Sequence, residues 1–136
     1  MGEVLPDVKG CAEKAARELD WLKANPQASR EEWASHIRGY VLAKFLLEEE
    51  ETEGDLLELA RKSVSLLTGI PREKLERMDR PSGCTAATAV LDKKVLLLLS
   101  LSKGLGVSLA PGSVPGIKTL DQLAEAFRKG RESREP

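Results

Sequence analysis

Nucleophiles and metal ligands are scarce in this chain of 136 residues: two cysteines, Cys11 and Cys84, and one histidine, His36. Cys84 lies in Ser82-Gly83-Cys84-Thr85, after a loop and where a helix is expected to begin. Free amides and the positive end of a helix dipole stabilise a thiolate there and lower its pKa. A thiol so placed can act as an attachment or redox point. The plainer reading is a small apolar side chain packed under the loop, as free cysteine often is. Cys11 falls on the flank of an amphipathic helix and reads as core. Glu32 and His36 share one helix face at a spacing of four, which suits a metal-binding pair or an acid with a base. With no second histidine, a zinc site of the usual Cys/His kind is not expected, and an ordinary surface pair is the plainer reading. The run Glu48 to Glu51 with Glu53 has carboxylates for a cation but not the ordered spacing of a calcium loop. Lys93, Lys94 and Lys103 can receive an acidic partner or form a solvated face. No glycine-rich phosphate loop, nucleophile elbow or paired-carboxylate constellation occurs. The sequence thus predicts no catalytic residue, no metal and no cofactor.

The elements that carry these residues centre on Val90–Gly106, the most apolar run. It is rich in leucine and poor in β-branched residues, which favours helix over strand. Val90, Leu91, Leu97, Leu98, Leu101 and Leu105 share a broad face that Val95 and Leu99 widen. Asp92, Lys93, Ser100 and Lys103 form a narrow stripe opposite. Leu96 falls inside that stripe and becomes a partner-contact candidate. Lys94 falls inside the apolar arc, where a lysine near a helix start can snorkel. The run is too short and too charged to span a membrane. Gly104 and Gly106 are expected to end it.

In chain order, the first helix spans 7–24, with Val8, Ala12, Ala15, Leu19 and Leu22 inward. The capping box Ser29-x-x-Glu32 opens a second helix from Arg30 to about Glu50, with Trp33, Ile37, Tyr40, Val41 and Leu47 inward. Its acidic end opposes the dipole, so fraying is expected there. Asp55 caps a third helix closed by Gly69. A short helical turn is expected at Ile70–Leu75, then a loop at Asp79–Gly83. The central helix follows, starting between Thr85 and Leu91. Thr119-x-x-Gln122 opens the last helix, with Leu120, Leu123, Ala124 and Phe127 inward, and the charged stretch from Arg128 to Pro136 reads as a loose tail. The fold class is therefore all-α: a bundle of five main helices. Charged residues make up 32% and aromatic residues only 4%, so the core must be aliphatic. A net charge of −1 argues against nucleic-acid binding. Met1–Pro6 has neither the basic start nor the apolar run of a signal peptide, so a cytoplasmic protein is expected.

From Asp55 on, the layout resembles an acyl carrier protein, the helical domain that carries phosphopantetheine. A capped helix ends at Gly69 before Ile70-Pro71-Arg72-Glu73-Lys74-Leu75, like the family's connection after its first helix. A loop leads to a leucine-rich helix that exits through Leu105-Gly106-Val107-Ser108-Leu109. Ile117-Lys118-Thr119-Leu120-Asp121-Gln122-Leu123 looks like the opening of the family's last helix. The resemblance covers residues 55–128. It implies a two-helix extension over residues 1–54, a carrier-like bundle over 55–130 and a charged tail over 131–136, all in one compact unit.

The family attaches its cofactor to the serine of an Asp-Ser-Leu motif, and in this register Leu91 takes that place. Val90-Leu91-Asp92 has no hydroxyl to form the phosphodiester. Ser82 is the nearest upstream serine, but it follows Pro81 and lies far from the expected position. Lys93 and Lys94 also replace the acidic character of the family's docking helix. The function expected is a non-catalytic, carrier-like docking module in a biosynthetic pathway, with Lys93, Leu96 and Lys103 as its contact residues and a protein partner. The alternatives are a covalent carrier or redox protein using Cys84, and a small helical enzyme or ligand binder.

Overall fold

The computed structural model describes residues 8–69, 85–109 and 111–134. Five α-helices run through them: α1 (Val8–Ala24), α2 (Arg30–Lys44), α3 (Leu56–Thr68), α4 (Thr85–Leu105) and α5 (Leu120–Arg134), with a 3-10 turn at Pro111–Gly116. Among the described residues there is no strand, only one isolated antiparallel bridge between Asp55 and Thr119. The expected all-α bundle is what the chain forms. The expected turn at Ile70–Leu75, the loop at Asp79–Gly83, Ser82 and Cys84 lie outside the described residues.

Side chains close the helix starts as the sequence requires. Ser29 Oγ accepts from the Glu32 amide at 3.1 Å, while Glu32 reaches back to the Ser29 amide at 3.3 Å. Asp55 Oδ1 accepts from the Glu58 amide at 3.0 Å. Thr119 and Gln122 exchange the same reciprocal bonds, each 3.1 Å. Free amides at the starts of α2, α3 and α5 are thereby satisfied. The Leu56 amide donates to Lys118 O and the Leu120 amide to Gly54 O, so the bridge sets the starts of α3 and α5 side by side.

One apolar core joins all five helices. Helix α1 packs on α2, α2 on α5, α3 on α4, and α4 also touches α1 and α5. Trp33, Ile37, Leu56, Leu59, Leu101, Leu123 and Phe127 are fully buried within it. The N-terminal pair of helices thus shares one core with the helices that follow it.

The structure departs from the sequence expectation at several places. Helix α2 ends at Lys44, before the acidic run. Leu46 takes φ 60, and the amides of Leu46 and Leu47 bond back to Ala43 O and Leu42 O. This is the closing geometry of a Schellman motif, with leucine where glycine is usual. The acidic residues beyond it tie elements together: Lys14 pairs with Glu49, Lys62 with Glu51 at 2.7 Å, and the Glu53 carboxylate accepts from the amides of Gly54 and Asp55. Helix α5 continues to Arg134, so Arg128 opens no loose tail. Val8 and Ala12 face water. Helix α4 runs through Gly104, and Gly106 takes the left-handed conformation at φ 68.

Helix α4 also buries less of its circumference than its sequence suggests. Val90, Leu97, Leu98, Leu101 and Leu105 are buried, but Leu91, Val95 and Leu99 are exposed. Helices α1, α3 and α5 pack against it and leave these three side chains uncovered. Lys94 does not lie at a helix start. The helix begins at Thr85, so Lys94 lies in its middle and is buried on the core face.

Candidate protein-docking surface

Lys93 and Leu96 meet at a notch between the C-terminal end of α2 and the middle of α4. Lys44, Phe45, Lys93, Leu96, Leu97 and Ser100 line a cavity of about 170 Å³. Each wall follows from local structure. Phe45 follows the last turn of α2 and is buried, its carbonyl held by the Ser63 hydroxyl at 2.7 Å. Leu97 belongs to the buried face of α4, whereas Leu96, one residue earlier, is 63% exposed. Behind the notch, the Tyr40 hydroxyl hydrogen-bonds Ser100 Oγ, which joins α2 to α4 and keeps both hydroxyls satisfied. Burial pushes the Tyr40 phenol above its usual pKa, although the bond to Ser100 opposes that shift.

Two ammonium groups flank the notch. Lys93 Nζ lies 5.6 Å from the centroid of the Phe45 ring, and Lys44 Nζ lies 5.8 Å from that of Tyr40. Both separations suit a cation–π contact. Neither lysine has a carboxylate within ion-pair distance among the described residues. Partial burial without a counter-charge lowers the pKa of Lys93. Lys103 is exposed on α4 but does not line the notch, seven residues and therefore roughly 10 Å beyond Leu96. The structure thus brings two of the three expected contact residues together and adds Lys44. Pattern reading within α4 could not find Lys44, because it comes from another helix.

The other candidates resolve differently. Leu91, where the resemblance would put an attachment serine, is the seventh residue of α4 and is 54% exposed. Glu32 and His36 do not pair. Glu32 is spent on its capping box, and His36 Nδ1 meets Glu18 Oε1 of α1 at 2.8 Å. The Trp21 ring stacks on the imidazole at 3.7 Å, fixing it from one side. Gly39 makes room for this contact, since a β-carbon there would stand 1.8 Å from Glu18 Oε2. The pair therefore clamps α1 to α2. No group of three or more His, Cys, Asp or Glu side chains suited to a metal gathers among the described residues. Cys11 packs half-buried against the core. No described helix is long and apolar enough to cross a membrane.

Comparison with protein-family models, with curated proteins and with solved structures finds no match for this chain.

Proposed function

We propose that the chain is a non-catalytic docking module, a carrier-like helical bundle that carries no phosphopantetheine at Leu91 and serves a biosynthetic pathway through protein contacts. The observation that carries this reading is the notch at Leu96: an exposed leucine beside a small apolar cavity, with two lysines that have no carboxylate partner among the described residues. An apolar anchor point inside a charged rim is the usual anatomy of an interface centre. Beside the notch the Tyr40 and Ser100 hydroxyls bond to each other, and His36 is held between α1 and α2 by Glu18. The carrier-like character rests on the order of sequence features over residues 55–128.

The reading is tested by trapping partners from the source cell with the tagged wild type, with Leu96→Asp and with Glu31→Gln on the far side of α2's first turn. The wild type and Glu31→Gln should recover the same protein, and Leu96→Asp should lose it. Equal recovery by all three would remove this surface from consideration.

A further inference from the structure

The chemistry of the notch specifies what it binds. Its volume of about 170 Å³ is well below the roughly 300–1,000 Å³ of small-molecule pockets, and is of the order of a single side chain. Phe45, Leu96 and Leu97 make its walls apolar. Lys44 and Lys93 present positive charge from two different helices, each laid over an aromatic ring instead of an acid. Among the described residues no acid near them in sequence pairs with Lys44 or Lys93: Glu48 and Glu50 are exposed and form no ion pair with either lysine. Glu49 is paired with Lys14 of α1 and Glu51 with Lys62 of α3. Asp92 is exposed on the outer side of α4, next to Lys93 in sequence, and forms no ion pair with it.

We propose that the notch receives a protein segment bearing one aliphatic or aromatic side chain flanked by carboxylates, the apolar side chain seated between Phe45, Leu96 and Leu97 and the carboxylates meeting Lys44 and Lys93. This rests on the docking reading above and names the class of partner. Charge complementarity favours the acidic flanks. Half-burial of Lys93 leaves its charge short of solvation, and a partner carboxylate restores what water no longer supplies. The apolar centre supplies the buried contact around which such pairs are arranged.

The test is selection from a displayed library of random peptides against the full-length protein, followed by affinity measurement with synthetic copies of the enriched sequences. Enriched peptides should share one apolar residue with Asp or Glu within about one helical turn of it. Their affinity should fall about tenfold or more in Lys44→Glu/Lys93→Glu, and should return when the peptide's acids are changed to lysine. Lys44→Gln/Lys93→Gln provides the same comparison if the charge reversal disturbs folding, with circular dichroism checking each variant. Enriched peptides that are not acidic but still need Leu96 would overturn the partner class and leave the docking surface standing. Peptides that bind Leu96→Asp as well as the wild type, or no enrichment at all, would overturn both. Vesicles containing phosphatidylserine form a separate arm. Binding to them that is lost with the two lysines, without acidic peptides being enriched, would replace the peptide by an anionic membrane surface.

Discussion

Lys94 shows how far one buried charge can weigh on this fold. It sits on the core face of α4, where desolvation lowers its pKa below the usual lysine value, partly offset by the carboxylate of Asp55 and reinforced by Lys118. The folded state therefore binds fewer protons than the unfolded state between the lowered value and 10.5. Stability from this group rises as pH climbs through that window, and the full cost of its charge is present below it. Lys94→Met should consequently stabilise the protein by about 1 kcal/mol at neutral pH. That advantage should shrink as pH approaches and passes 10.5, measured by urea unfolding at several pH values. A constant advantage would mean that the methionine gains through packing alone. At Leu91 the expected outcome is chemical. Incubation with a broad-specificity phosphopantetheinyl transferase should add no mass, because no hydroxyl stands there. A mass gain mapped to Ser82 would make the chain a working carrier in a different register.

Two helix ends offer a matched experiment at the scale of the element. Helices α2 and α3 both close through a left-handed residue, Leu46 at φ 60 and Gly69 at φ 78. Glycine adopts this conformation without strain, whereas a residue with a β-carbon is strained by about 1–2 kcal/mol. Leu46 is not among the side chains packed against the core. Leu46→Gly should therefore raise stability by about 1 kcal/mol, and Gly69→Ala should lower it by a similar amount. Chemical denaturation of the two variants checks both signs. A loss in Leu46→Gly would show that the leucine side chain contributes more than its backbone strain costs. Along α4, Leu101→Ala should cost about 2–5 kcal/mol because Leu101 is fully buried. Leu96→Asp, on the outer side of the same helix, should stay within about 0.5 kcal/mol of the wild type.

At the scale of the whole molecule, the question is whether the N-terminal helix pair is a separate unit. Both tryptophans, Trp21 and Trp33, belong to α1 and α2, so tryptophan fluorescence reports on that pair alone. Far-ultraviolet circular dichroism reports on every helix. The shared core, with Trp33 and Ile37 buried in the same cluster as Leu56, Leu101 and Phe127, predicts one cooperative transition. The two signals should give coincident midpoints in urea. Midpoints that separate would establish residues 1–54 as a domain of their own. The same sharing predicts that a fragment beginning at Asp55 does not fold alone, since it would lose the apolar surface supplied by α2.

Local chemistry was legible in the sequence alone. Hydroxyl and carboxyl groups at Ser29, Glu32, Asp55, Thr119 and Gln122 marked helix starts, because a cap joins residues three apart and needs nothing distant. Helical periodicity identified the inward faces of α2 and α5 for the same reason. It also singled out Leu96, an apolar residue inside the polar stripe of α4 that the structure leaves exposed. Periodicity could not tell which arc of an almost wholly apolar helix would be covered. That depends on where the neighbouring helices lie, and so Leu91, Val95 and Leu99 came out exposed while Lys94 was buried. Distant partners were equally hidden. His36 chose Glu18 over Glu32, and the acidic run after α2 found Lys14 and Lys62, because these ion pairs form only once separate elements are brought together. Lys44 joined the notch in the same way. The sequence determined where helices begin and which residues depart from their pattern; the packing of helices against one another decided which of those residues share a site.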